Sequence, residues 1–102
     1  MATSTAVALI AVSLDDRRAL RDLRTQLGLY RATIEQRARV DTDYMKHLES
    51  GHYPRLEATR LRRVVQVLQQ AAARRQVSAP LTRRFARVVK VVGPPGKSAV
   101  KR

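Results

Sequence analysis

The apolar residues of this chain recur at intervals of three and four, which is the spacing of one face of an α-helix. Two stretches carry the pattern: Leu20, Leu23 and Leu27, and then Leu61, Val64, Val65 and Leu68. Ser13 precedes the first stretch and predicts an N-cap, and Gly28 follows it as a residue suited to a left-handed helix end. The pattern predicts a first helix from Ser13 to Leu27 and a longer helix that reaches Ala73.

Two shorter helices are predicted between these, over Tyr30–Ala38 and Thr42–Glu49. Their inward residues are Ile34 and Ala38 on the first, Val40 in the connection, and Met45 and Leu48 on the second. Asp41, Thr42 and Asp43 predict an N-cap and an acidic first turn for the second, which ends at Ser50-Gly51. Two short helices joined by a turn of three to four residues are typical of a helix-turn-helix.

A fifth amphipathic segment is predicted over residues 78–92. Its apolar stripe consists of Leu81, Phe85, Val88, Val89 and Val92, with Arg83, Arg84, Arg87 and Lys90 opposite. The β-branched run Val88–Val92 is also compatible with a strand. The stripe either completes the core or pairs with a second copy in a homodimer on DNA. Residues 1–12 form a flexible lead or a short packing strand, and residues 93–102 are predicted to be a disordered basic tail.

Basic charge is concentrated in the second half of the chain. The formal net charge is +13, from 21 Lys and Arg against eight Asp and Glu. Residues 1–54 hold eight basic and seven acidic residues, whereas residues 55–102 hold thirteen basic residues and one acid, Glu57. A surplus of this size repels itself unless a polyanion is close, so it indicates a nucleic-acid partner or an anionic surface.

Composition narrows the class of protein further. The chain has no Cys and two His, which argues against a disulfide framework and a zinc site, and no cofactor is expected. The apolar run over residues 6–12 is too short to span a bilayer, so no membrane association is expected. No arrangement of catalytic residues or phosphate loop is evident, so an enzyme is not expected.

The ordered motifs of residues 20–68 resemble a known family. They are Leu20-Arg21-Asp22-Leu23-Arg24, Gly28-Leu29, Val40, Tyr44-Met45, Leu48-Glu49-Ser50-Gly51, Pro54 and the run from Leu61 to Leu68. In order and spacing this set is similar to the xenobiotic-response-element helix-turn-helix regulators, which include the lambda repressor and Cro proteins. The resemblance implies an all-α, four- to five-helix lambda repressor-like fold, with the helix-turn-helix DNA-binding domain at residues 13–73.

Three positions depart from the family pattern. Tyr30-Arg31 replaces the Ser/Thr-Gln pair that starts the second helix, Glu35 replaces a small residue, and Arg39 replaces the turn glycine. Arg39 is therefore expected to adopt a positive φ, at a cost of about 1 kcal/mol or more.

The resemblance also implies roles for individual residues. Thr42, Asp43, Lys46 and His47 would face the bases, and Arg31 and Ser50 would contact phosphates. Lys46 suits guanine O6 and N7, and Thr42 suits a thymine methyl group. Asp43 either accepts from a cytosine amino group or is only an acid of the first helical turn.

Phosphate contacts are expected mainly from the basic half of the chain, because the helix-turn-helix segment is nearly neutral. The expected residues are Arg55, Arg60, Arg62 and Arg63 near the start of the fourth helix, and Lys97, Lys101 and Arg102 in the tail.

These observations predict a sequence-specific regulator of transcription that binds double-stranded DNA, of the phage-repressor or Cro-like type. Two alternatives remain open: an antitoxin with a protein partner, or a nonspecific architectural or RNA-binding protein. The expected location is the cytoplasm of a bacterial host, in association with the nucleoid.

Overall fold

The computed structural model of the protein describes residues 8–93. Five helices and two short strands lie in this range: β1 (Leu9–Ala11), α1 (Leu14–Gln26), α2 (Arg31–Ala38), α3 (Tyr44–Ser50), β2 (Arg55–Glu57), α4 (Ala58–Ala73) and α5 (Ala79–Val92). The protein is thus mostly helical, with a small sheet beside the helices.

The first helix begins where its sequence predicts. The Ser13 hydroxyl accepts a hydrogen bond from the Asp16 amide at 3.1 Å and so caps the free N–H groups of α1. The chain leaves the helix at Leu27, and Gly28 follows with a φ of 70°, which glycine adopts without steric cost.

The small sheet corrects the expectation of an all-α fold. β1 pairs antiparallel with β2, with Ile10 opposite Leu56. Leu56 in β2 is buried, and so is Val12, the residue that follows β1. The burial of these apolar side chains explains why residues 9–11 pack as a strand. Residues 9–11 are therefore not a flexible lead, and the alternative of a short packing strand is the one observed. Residues 1–7 and the predicted tail beyond Gly93 lie outside the described range.

The connection between α2 and α3 is longer than the predicted turn. It runs over residues 39–43, and α3 begins at Tyr44, two residues later than expected. Arg39 has the expected positive φ of 58°, and Asp43 also adopts one, at 73°. Because Asp43 has a left-handed backbone conformation, Thr42 cannot belong to the helix. The first turn of α3 contains no acidic residue, so the predicted acidic first turn is wrong.

The last two helices close the core. Leu61, Val64, Val65 and Leu68 on α4 are buried, as are Leu81, Phe85, Val88 and Val92 on α5. These eight residues belong to one hydrophobic cluster with the apolar faces of α1, α2 and α3. The stripe on α5 therefore lies in the core of the monomer, and the run Val88–Val92 is helical throughout.

Arg17 joins α3 and the chain segments next to the two strands to the first helix. Its side chain is buried, with 2% of the residue exposed. It donates from Nε to the Val12 carbonyl at 3.0 Å, from one terminal nitrogen to the Leu48 carbonyl at 2.9 Å, and from the other to the Tyr53 carbonyl. Burial lowers the pKa of Arg17, but a guanidinium remains charged at neutral pH. One cation thus fixes β1, the end of α3 and the loop before β2.

Replacing Arg17 by Met is expected to lower the free energy of unfolding by at least about 3 kcal/mol, because three carbonyls lose a charged donor. Arg17→Lys should fall between Met and the wild type, since lysine cannot reach all three carbonyls at once. Arg18→Met changes an exposed neighbour on the same helix and should cost less than about 0.5 kcal/mol. Urea denaturation measures all three; equal losses for Arg17→Met and Arg18→Met would contradict the anchoring role.

Candidate nucleic-acid interface

One side of α3 and the turn before it faces solvent. We call Thr42, Asp43, Lys46, His47 and Ser50 the α3 edge. Four of these residues are exposed and His47 is partly exposed. Residues 43, 46, 47 and 50 follow the three- and four-residue spacing of a single helical face. The predicted base-contacting residues therefore share one surface, although Thr42 and Asp43 occupy it from the turn rather than from the helix.

The opposite side of α3 is held by a carboxylate from α2. Asp43 makes no side-chain cap, and instead the buried Glu35 accepts a hydrogen bond from the Met45 amide at 2.9 Å. A carboxylate at this position accepts from a free N–H group, and its negative charge is stabilised by the positive end of the helix dipole. Glu35, which departs from the family pattern at a position where a small residue is usual, thus supplies the cap that α3 lacks locally.

A second buried carboxylate joins α3 to α1 and α2. The Glu49 side chain is 2% exposed. Its carboxylate accepts two hydrogen bonds from Arg24, one from Nε at 2.6 Å and one from a terminal nitrogen at 3.1 Å. Arg31 at the start of α2 also donates its Nε to Glu49, at 3.0 Å. Among the described residues, the Arg31 side chain donates to the protein only through Nε. Its side chain is 47% exposed. Glu49 therefore orients Arg31 while leaving its terminal amino groups available.

Aromatic rings surround the end of the α3 edge. His47 and His52 have ring centroids 4.8 Å apart, and Tyr53 packs edge-on against His52 at 4.5 Å. Tyr53 also meets His47 at 5.7 Å. The three rings therefore pack against one another beside the α3 edge. No group of three metal-ligating residues lies within residues 8–93.

A cleft separates the α3 edge from the start of α4. Its volume is about 320 Å³, and its lining includes Thr42 and His47 on one side and Arg55 and Arg60 on the other. The structure thus brings two expected base-contacting residues next to two expected phosphate-contacting residues. Glu57 also lines this cleft and caps α4 by accepting from the Thr59 and Arg60 amides. Burial acts to raise the pKa of Glu57, but these hydrogen bonds outweigh it and the pKa lies below its usual value.

Tyr44 lines the same cleft with a desolvated hydroxyl. The oxygen is buried and has no hydrogen-bond partner among the described residues. Burial, and next the charge of Glu57, raise the pKa of Tyr44 to about 12. The hydroxyl is therefore neutral at physiological pH.

Arg62 and Arg63 have structural contacts that the sequence does not reveal. Arg63 donates to the Ala38 carbonyl at 2.8 Å and to the Arg39 carbonyl at 3.2 Å, and so caps the end of α2. Arg62 donates to the Val92 carbonyl at 2.9 Å, at the end of α5. The guanidinium groups of both residues are thus already engaged at helix ends, and any contact with a phosphate would have to be made alongside these hydrogen bonds. Lys97, Lys101 and Arg102 lie outside the described residues.

Ser50 is exposed at the last turn of α3, and its hydroxyl donates to the His47 carbonyl at 3.2 Å. Sequence reasoning missed the charged residues that support this surface: the buried Arg17, Glu35 and Glu49, and the partly buried Arg24. The sequence signal that could have identified them is a charged residue at a position where the spacing of apolar residues predicts the buried face of a helix. Arg17 and Arg24, seven residues apart on α1, form such a pair.

No protein-family model, curated protein or solved structure matches the chain. Within residues 8–93, the helices lack the length and apolar character that crossing a membrane requires.

Glu35→Ala is expected to lower the free energy of unfolding by about 1–2 kcal/mol, because the start of α3 loses its cap. Glu35→Gln keeps an acceptor oxygen and should recover part of the loss. Gln36→Ala, at an exposed position of the same helix, is the control and should change stability by less than about 0.5 kcal/mol. Urea denaturation would contradict the capping role if Glu35→Ala behaved like the control.

Tyr44→Phe is expected to preserve the free energy of unfolding or raise it by about 1 kcal/mol, because a desolvated hydroxyl without a protein partner is removed. Tyr53→Phe, at a half-exposed ring, should change it by less than about 0.5 kcal/mol. Thermal and urea unfolding measure both variants. A loss of more than 1 kcal/mol for Tyr44→Phe would mean that this hydroxyl contributes a favourable contact.

Proposed function

We propose that this protein binds double-stranded DNA sequence-specifically and regulates transcription, in the manner of a phage repressor or Cro-like protein. The observation that carries the proposal is the α3 edge: an exposed polar surface on a short helix that Glu35 holds at its start and that Arg17 and Arg24 hold at its end. A surface that is already ordered before binding loses little conformational entropy when it meets a ligand.

The dimensions of α3 suit the major groove of B-DNA. An α-helix with its side chains is about 10–12 Å across, and the groove is about 12 Å wide and admits one helix. Lys46 has the chemistry to donate to guanine O6 and N7, and Thr42 has a methyl group for contact with thymine. Asp43 fits beside a cytosine amino group, its acceptor complementing that donor.

Cations flank this edge where backbone phosphates would pass. Arg31 lies at the start of α2, and Arg55 and Arg60 lie across the cleft from Thr42. Within the described range none of Lys46, Arg55 and Arg60 has a carboxylate within salt-bridge distance, so their charge is available to an external anion. In this proposal the exposed Ser50 hydroxyl turns from the His47 carbonyl to donate to a flanking phosphate.

The order of elements supports a lambda repressor-like arrangement. Three helices precede a longer fourth, and α2 and α3 share a core that includes Ile34, Ala38, Met45 and Leu48. In this proposal α2 and α3 are the helix-turn-helix pair. In such proteins the second helix of the pair presents its N-terminal residues to base edges. The five-residue turn places Thr42 and Asp43 just ahead of α3, at that same end.

A second candidate function is that of an antitoxin, which adds a protein partner. An apolar groove of about 380 Å³ between α4 and α5 favours it, lined by residues that include Ala72, Val77, Phe85 and Val89. Co-purification of a second chain with the full-length protein would support this function. Under either proposal the protein acts on DNA in the bacterial cytoplasm, at the nucleoid.

Selection of bound duplexes from a random pool tests the proposed function. The wild-type protein is expected to enrich one sequence, and Lys46→Ala to bind that sequence about 10–100-fold more weakly while losing little affinity for a random duplex. Arg18→Ala removes an equal charge from the exposed surface of α1 and serves as the control. Two half-sites about 34–36 Å apart in the enriched sequence would indicate a homodimer on DNA.

The same selection can reject the proposal. If every duplex were bound equally at all salt concentrations, the nonspecific architectural function would replace it. If no duplex were retained at low ionic strength, DNA binding itself would be ruled out.

A further inference from the structure

The outward face of α5 carries a continuous row of cations. Arg83, Arg87 and Lys90 lie at intervals of four and three, and all three are exposed. At about 100° per residue, their mean direction on the helix is about 160° from that of the buried residues Leu81, Phe85, Val88 and Val92. We call these three residues the α5 ridge; they point away from the core.

Little negative charge balances this ridge. α5 contains no acidic residue. Arg87 lies 3.9 Å from an Asp16 carboxylate oxygen, and the neighbouring Arg84 lies 3.0 Å from Asp22. Among the described residues, Arg83 and Lys90 have no carboxylate within 4 Å. The ridge therefore keeps most of its charge for a partner outside the chain.

The ridge and the α3 edge lie on different sides of the molecule. On α1, Arg17 and Arg24 contact α3, whereas Asp16 and Asp22 contact α5. From the helical repeat, these two pairs point about 150° apart around α1. α1 therefore lies between α3 and α5 and separates the ridge from the α3 edge.

We infer that the α5 ridge is a second nucleic-acid contact, which binds the phosphate backbone and allows one chain to bridge two duplex segments. Arg83 and Lys90 are about 10 Å apart along the helix axis, and along the axis of a duplex each strand presents a phosphate about every 3.4 Å, so three phosphates lie within the length of the ridge. Cations alone are sufficient for sequence-independent phosphate binding.

An acidic protein is the less favoured partner. Stable protein interfaces are centred on buried aromatic and aliphatic anchors, and the three ridge residues provide none. The contact with nucleic acid at the ridge stands without the α3 edge, whereas bridging rests on the proposed function of that edge.

Two charge-matched variants separate the two surfaces. The ridge variant combines Arg83→Gln, Arg87→Gln and Lys90→Gln, and the α3-side variant combines Lys46→Gln, Arg55→Gln and Arg60→Gln. Each removes three cations at exposed positions, and circular dichroism checks that both remain folded. The assay measures energy transfer between 30-base-pair duplexes that carry either a donor or an acceptor dye, together with binding of a single duplex against salt.

The wild-type protein is expected to bring the two dyes together, and the ridge variant to reduce this signal at least tenfold while its affinity for a single duplex falls less than about threefold. The α3-side variant should also lose bridging but keep weak binding through the ridge, with a salt slope of no more than about 3, from about 0.9 per phosphate contact. Wild-type bridging that survives in the ridge variant, as a dimer joined elsewhere would give, overturns the inference.

Failure of this inference is distinguishable from failure of the proposed function. If single-duplex binding depends on Lys46, Arg55 and Arg60 but no wild-type bridging occurs, the ridge is not a second contact and the proposed function stands. If duplex binding is lost in the ridge variant and unchanged in the α3-side variant, the ridge contact stands and the proposed function fails. Retention of the wild type on polyaspartate, with no duplex bound at low salt, would assign the ridge to an acidic protein and overturn the inference.

Discussion

The buried guanidinium of Arg17 is the contact on which the arrangement of this small protein depends. A helix of seven residues is too short to be stable alone, so α3 must be held by its neighbours. Arg17 meets the carbonyl end of α3 at Leu48, where a cation is favoured by the helix dipole, and reaches β1 and the loop before β2 at the same time. Glu35 holds the opposite end of α3 through Met45. The helix is thus fixed at both ends by charges of the appropriate sign.

This division of charge links stability to the proposed function. Several carboxylates make contacts within the chain: Glu35 and the partly exposed Glu57 cap helices, and Glu49 binds Arg24 and orients Arg31. Many of the cations remain outside, around the α3 edge and along the α5 ridge. Other exposed cations, among them Arg18, Arg37 and Arg74, belong to neither surface, so the surplus of positive charge is only partly concentrated on these two.

The periodic parts of the fold could be predicted from the sequence, because helical spacing of apolar residues reports burial directly. α1, α4 and the apolar stripe of α5 are examples. The positive φ of Arg39 is expected for a different reason, because the family that residues 20–68 resemble has a glycine in this turn. The start of α3 could not be predicted, because a left-handed Asp43 leaves the same sequence pattern as a capping residue. The strand pairing of Ile10 with Leu56, and the contacts of Arg62 and Arg63 with the ends of distant helices, depend on tertiary geometry that no local pattern contains.

The most direct test of the proposed interface is a titration of the ¹⁵N-labelled protein with a duplex selected for binding, followed by backbone amide resonances. The account predicts that the first shifts to change are those of residues 42–50, with Arg31, Arg55 and Arg60, while amides of the α1 core around Leu20 stay in place. Changes confined to α5, or none along α3 at saturating duplex, would contradict it.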